Sequence, residues 1–424
     1  MWDTSGKRYI DGSSGAMVSN IGHSNPAVLA AMRAQMDKST FGYRLHFQTE
    51  PSEALAEKIT ELTPLGLDRV FFVSGGSEAV ESALKMARQY ALAQGQAQRT
   101  KVISRYPSYH GATLGALAIT GYAPMTAPFD PMMHAMPKIP APRAYLDGLD
   151  ADDPATGLHY ANMLEAKILE EGPATVLAFI VEPIGGASTG ALVPPAGYMR
   201  RIRDICDHYG VLLIHDEVMT GGGRTGKFFG GEHWDVTPDI IALSKGFGAG
   251  YVPLGAMIAR DDMVEAVLDG GGFIHGYTYA GNPLACSAGL AVLNEIEAHG
   301  LTENAAQMGD VLTTRLQSLM QRYPLIGDVR GKGLLLAFEL MADRATKAPL
   351  PSQLNAYNRL VDIAYEKGLI IYSRRTRGGI SGDHFLVCPP MIVTEQQLDE
   401  IADILDQSLE QLMHELPTTS APVS

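Results

Sequence analysis

From about residue 50 to residue 290, short apolar runs of strand length alternate with stretches of helical periodicity, and the runs stop abruptly at polar residues or glycine. That alternation restricts the chain to α/β architecture, a mostly parallel sheet covered by helices on both sides. Ligands on such a sheet lie at the carboxyl ends of its strands, so the run-ending residues are the place to look for chemistry. Phe72-Val73 runs into Ser74-Gly75-Gly76-Ser77, Val181 into Glu182, Ile214 into His215-Asp216-Glu217, and Leu243 into Ser244-Lys245-Gly246. At 424 residues and 46% hydrophobic content the chain can bury a large core, with one large and one smaller domain expected.

Lys245, where a buried run meets glycine, is a candidate amine nucleophile. Most strand-end lysines are only solvated charges, and Asp216 at the same sheet edge is what changes the balance. A lysine that condenses with a carbonyl and an acid that holds a protonated ring nitrogen are what pyridoxal 5'-phosphate (PLP) requires of a protein. The cofactor also needs an anion cradle. The glycine loop before the helix expected from Glu78, with Val80, Leu84, Ala87 and Ala91 on its apolar face, presents free N–H groups and the positive end of a helix dipole. The plainer role for Ser74 or Ser77 is to cap that helix.

Six ordered motifs resemble the class III aminotransferases of PLP fold type I, the group that includes the ω-transaminases. They are Ser74-Gly75-Gly76-Ser77-Glu78-Ala79, Tyr109-His110-Gly111-Ala112-Thr113, Glu182-Pro183-Ile184, Asp216 to Gly221 with Gly223-Arg224-Thr225-Gly226, Ser244-Lys245-Gly246, and Tyr277-Thr278-Tyr279 before Gly281-Asn282-Pro283. The likeness runs from about Trp2 to the last helix and implies fold type I: a large domain with a mostly parallel sheet covered by helices, plus a smaller α+β domain built from the two chain ends. It implies that Lys245 holds PLP as an internal Schiff base and carries a proton during transfer, and that Asp216 keeps the pyridine nitrogen protonated. Gly76 and Ser77 would bind the phosphate. Tyr109, with His110 beside it, and Val218 would enclose the ring. Thr278 would reach the phosphate from a neighbouring subunit, which makes the expected assembly a homodimer with shared active sites. Glu182 matches the family's buried glutamate, in a role as readily structural as catalytic.

The implied reaction is ping-pong transfer of an amino group from an amine or a β- or ω-amino acid to a keto acid. Pyruvate is favoured over 2-oxoglutarate, because Met219 stands where relatives using 2-oxoglutarate commonly have glutamine and Leu386 lies near the position of their carboxylate arginine. A keto acid still needs a cation. Arg374, within Ser373-Arg374-Arg375-Thr376-Arg377, is the first candidate and Arg44 the second, each against solvated surface charge; Ala16 and Met17 stand at pocket positions. The chain begins almost at its Asp-x-x-Gly-Lys-x-Tyr-Ile-Asp-Gly turn, so part of the pocket wall is expected to differ. The alternatives are an aminomutase or decarboxylase on the same cofactor and, remotely, a nicotinamide-dependent oxidoreductase. That last reading rests on Gly221-Gly222-Gly223-Arg224-Thr225-Gly226, whose next residues do not open the helix a dinucleotide fingerprint requires. His215 with Glu217 invites a metal reading, but no third ligand is in view and a packed histidine fits better.

A formal charge of −14 argues against nucleic acid or an anionic membrane as partner. Cys206, Cys286 and Cys388 have no paired spacing and read as small core residues of a reducing compartment. Neither a long apolar span nor a signal-peptide core is present, and a cytoplasmic protein is expected. Boundaries are expected at 1–49 for the first part of the small domain, 50–290 for the PLP-binding domain and 291–415 for the rest of the small domain, with a disordered tail from 416 to 424. The last third should hold a helical stretch from Leu290 to Tyr323 broken near Gly300, strands at Leu334 to Phe338, Leu369 to Tyr372 and Phe385 to Val387, and a helix from Glu395 to about Glu415.

Overall fold

The computed structural model describes residues 1–417. Its main sheet has seven strands: β2 (Arg69–Val73), β3 (Lys101–Tyr106), β4 (Lys138–Pro140), β5 (Val176–Val181), β6 (Leu212–Asp216), β7 (Ile240–Leu243) and β8 (Gly255–Ala259), following a short β1 (Ile10–Asp11). They lie in the order β2-β8-β7-β6-β5-β3-β4. All neighbours are parallel except β8, which runs antiparallel to both β2 and β7. Every residue of β5 and of β7 is buried, as expected of strands packed on both faces. The ordered crossovers bring the ends of β5, β6 and β7 side by side, and with them Glu182, Asp216 and Lys245.

The remaining strands are β9 (Ile326–Lys332), β10 (Leu335–Asp343), β11 (Ala348–Pro349), β12 (Leu369–Ile370), β13 (Tyr372–Arg377) and β14 (Ser381–Val387). A second sheet runs β11-β10-β14-β13, with β9 on the other edge of β10, and β12 pairs with β1 near the chain start. β9 was not among the expected strands, because Gly327, Asp328, Arg330, Gly331 and Lys332 leave it without an apolar run. The arginine-rich segment lies before the last strand and takes strand form. It is itself β13, paired residue by residue with β14.

Helix ends follow local chemistry. The Asn282 side chain accepts from the Ala285 N–H and caps Pro283–Ala298, and Gly300 at φ +56° separates that helix from Leu301–Arg322. Thr394 and Gln397 form a reciprocal capping box that starts Glu395–Glu415. A continuous core joins the two sheets, with Leu243, Phe247 and Ile258 in one cluster with Leu334, Phe338 and Val387. All three cysteines are free and buried. Among the described residues no helix is long and apolar enough to cross a membrane. Of the tail expected to be disordered from 416 to 424, residues 418–424 lie outside the described residues, whereas Leu416 packs against the core.

Candidate active site

A cavity of about 330 Å³ opens at the carboxyl ends of β5, β6 and β7, within the size range of small-molecule sites. Gly76, Ser77, Tyr109, His110, Glu182, Asp216, Val218, Lys245, Met17 and Arg374 all line it. Expected residues far apart in the chain therefore converge on one space. Two do not. Thr278 is exposed on the loop between the helices Asp261–Asp269 and Pro283–Ala298 and does not line the cavity, and Arg44 donates to the His275 carbonyl at 3.0 Å while stacking over Phe71.

Asp216 ends β6 with 5% exposure. Its Oδ2 lies 2.7 Å from His110 Nδ1 and its Oδ1 accepts from the Val218 N–H at 3.1 Å. The two contacts fix the carboxylate plane. His215 and Glu217 alternate to the opposite face, as strand geometry demands, and line a separate cavity. Burial holds His215 down to about 3 and raises Glu217 to about 7. Glu217 accepts from the N–H groups of Gly230 and Gly231 and from the Thr220 hydroxyl. No group of three metal-ligating side chains exists among the described residues.

Lys245 follows β7 at φ +48°, a left-handed conformation in a non-glycine residue. Such strain is tolerated where the surroundings over-determine it, often at functional sites. The amine keeps some exposure to the cavity, yet loss of water around it lowers its pKa to about 8 against the opposing pull of Asp216 and Glu182. Glu182 accepts from the Gly186 N–H at 3.0 Å, and burial raises its pKa, with His110 and Arg105 acting the other way.

The helix after β2 spans Gly76–Ala93, two residues earlier than expected, so Gly76 and Ser77 are its first turn. Ser77 Oγ accepts from the Ala112 N–H at 3.0 Å, while Glu78 reaches back to the Ser74 N–H at 2.8 Å. Gly76 and Ser77 line the cavity at a helix N-terminus, the kind of position whose N–H groups can hold an anion. A Cβ at Gly76 would come within 2.9 Å of the Val218 side chain, so glycine is what lets the turn approach. His110 Nε2 and Glu182 Oε2 are buried in the cavity wall without a protein hydrogen-bond partner. With an anion cradle, an acid set for a ring nitrogen and a lysine of lowered pKa, the residues fit PLP.

The glycine-rich run after β6 forms turns, and residues 227–229 beyond it open no α-helix; only the short 3-10 helix Gly230–Trp234 comes next. Arg224 within it is fully buried and bonds Asn20, Ser14, and the carbonyls of Leu334, Cys388 and Pro389. Arg374 extends into the cavity mouth over the Tyr372 ring, 4.5 Å from its centre, and has no carboxylate partner among the described residues. Arg375 is paired with Asp383, and Arg377 donates to the Lys347 carbonyl. Sequence reasoning missed Tyr122, Met125, Ala187 and Ser188 as lining residues, and no local pattern marks them. Tyr372 and Ile184 lay in segments it had singled out.

The family model described as Aminotransferase class-III matches residues 1–409. The chain is 34% identical over 418 residues to a putrescine–pyruvate aminotransferase of Pseudomonas aeruginosa, covering 97% of this chain and 88% of that one. It is 37% identical over 408 residues to a diaminobutyrate–2-oxoglutarate transaminase of Halomonas elongata, covering 94% and 86%. The crystal structure of an ω-transaminase from Pseudomonas jessenii in complex with PMP matches with a TM-score of 0.91 at 35% identity, over 98% of this chain and 91% of that one. Likeness on that scale, running the length of a chain whose sheet edge fits PLP, makes this protein a member of the class III aminotransferases, PLP-dependent enzymes of fold type I.

Proposed function

We propose that this transaminase moves an amino group from an amine or a β- or ω-amino acid to pyruvate by a ping-pong route, with Lys245 as the amine that holds the cofactor. The observation that carries the acceptor is the count of cations. Among the residues lining the cavity only His110, Lys245 and Arg374 are basic, and His110 is engaged with Asp216. Lys245 is committed to amine chemistry, which leaves Arg374 for one carboxylate. Pyruvate carries one carboxylate and 2-oxoglutarate two. Leu386 is fully buried in an apolar cluster with Met17 and Ile184, and Met219 presents a thioether to the cavity. Neither supplies a second anion site. The two relatives named above use different acceptors, so the acceptor must be argued from this chain's own cavity.

PLP, when bound, supplies an electrophilic carbon for the amine and a protonated ring that withdraws electrons from the substrate carbon. Asp216, held by His110 and Val218, keeps the proton on the ring nitrogen. The first turn at Gly76 and Ser77 binds the phosphate, Tyr109 and Val218 pack on the ring faces, and Glu182 supports the Asp216 side of the site. Lys245, neutral once displaced, takes the proton from the substrate carbon and returns it on the other side of the transfer. Thr278, exposed in a single chain, completes the phosphate site of a second copy in a homodimer. In this reading residues 1–49 and 291–415 form a smaller domain around the 50–290 PLP-binding domain.

The test is the visible spectrum of the purified holoenzyme as an amine donor and then a keto acid are added. Loss of the cofactor's visible band with donor, and its return with pyruvate but not 2-oxoglutarate, is the expected result. Return with 2-oxoglutarate alone overturns the acceptor assignment. Conversion of an amine without any keto acid points instead to an aminomutase or decarboxylase.

A further inference from the structure

Part of the cavity wall comes from the loop after β5, through Ile184, Ala187 and Ser188. That loop closes on itself. The Gly185 N–H bonds the Leu192 carbonyl at 2.8 Å, and the Gly190 N–H bonds the Gly186 carbonyl at 2.9 Å. Whatever holds residues 189 and 190 therefore holds 187 and 188.

Arg330 of β9 is what holds them. Its Nε donates to the Gly190 carbonyl at 2.7 Å and its Nη2 to the Thr189 carbonyl at 3.1 Å. The same Nη2 donates to Glu339 on β10 at 2.9 Å, and Nη1 to Asp328 at 2.7 Å. Glu339 is fully buried, and its second oxygen accepts from the Thr376 hydroxyl at 2.9 Å. Thr376 shares a face of β13 with Tyr372 and Arg374, because alternate residues of a strand point the same way. Tyr372 and Arg374 line the substrate cavity. Gly190 sits at φ +64°, and a Cβ there would lie 2.8 Å from both Arg330 Nη2 and the His384 ring, so the approach of loop to sheet is close.

A guanidinium needed only to neutralise Glu339 and Asp328 would have no reason to spend two of its donors on carbonyls of another segment. We propose that Arg330 is a positioning residue: through Glu339 and Thr376 it sets the spacing between the Ala187-Ser188 wall and the strand that carries Arg374, and so the fit of the keto acid. The proposal rests on the transaminase reading and on Arg374 as its carboxylate cation. Arg330 touches no substrate itself. Its effect appears where carboxylate and wall must be met at once.

The variants are Arg330→Lys, which keeps the charge but loses the planar fork, and Thr376→Val, which removes one hydroxyl and spares the fold if the first does not. In holoenzyme that retains its cofactor band, each should raise KM for pyruvate, about tenfold for Arg330→Lys, while kcat stays within about twofold. Amide hydrogen exchange should rise together in residues 186–192 and 373–377. Unchanged KM in both variants, or an equal loss of kcat with amine and keto acid, overturns the proposal. If wild-type enzyme transfers nothing to any keto acid, the transaminase reading fails, and exchange judges the clamp alone. A joint rise in both segments supports it, and a rise confined to 326–339 overturns it.

Discussion

Lys245 and Asp216 were legible in the sequence because each ends an apolar run, and the ends of parallel strands meet. Their electrostatics were not, since the lowered pKa of Lys245 comes from water excluded by residues distant in the chain. An amine at about 8 is roughly one-tenth neutral at pH 7, against well under one-thousandth for an ordinary lysine. Because the neutral form is the nucleophile, capture of PLP by cofactor-free protein should accelerate with rising pH, level off above about 8, and vanish in Lys245→Ala. Stopped-flow absorbance measures this, and a rate still climbing steeply at pH 10 refutes the assignment. Arg374 differs from Arg375, which pairs with Asp383, and from Arg377, which donates to the Lys347 carbonyl, in lining the cavity with no carboxylate partner among the described residues, a distinction visible only in three dimensions. Arg374→Gln should raise KM for pyruvate by roughly 10- to 100-fold, the worth of one charge-assisted bond, with little change in the amine half-reaction.

At the scale of elements, the helix Gly76–Ala93 was foreseen from its apolar face, but its start was set two residues late, because glycine argues against a helix interior and says nothing against a first turn. That first turn is where the proposed phosphate site lies. Gly76→Ala forces a Cβ against Val218 and should weaken retention of PLP about tenfold on dialysis while leaving the far-ultraviolet dichroism unchanged. β9 was missed for the opposite reason. Its polar residues serve an edge position, and its arginine turns inward to a loop from the other sheet. Periodicity reports which face of an element is apolar; it does not report which polar residue is matched by a distant carbonyl.

For the whole molecule, Arg224 ties three regions together at once, near residues 14–20, 334 and 388–389. Arg224→Met leaves those acceptors buried and unpaired, at about 1–3 kcal/mol each, and should lower the thermal unfolding temperature markedly with either end of the chain loosened first in limited proteolysis. Thr278 belongs to a larger scale still. If it serves a second copy, mixing Thr278→Ala with Lys245→Ala chains should give heterodimers holding one intact site per pair, and titrated activity should recover to about a quarter of wild type at equal mixing by random pairing. The alternation along β6 has one more consequence. Because Asp216 faces the active-site cavity while His215 and Glu217 line a separate one behind the sheet, deleting or inserting a single residue between 212 and 215 would exchange the two compartments' side chains wholesale. Over evolutionary time this strand can change its letters but not its length, and gaps between relatives should fall in the loops around it.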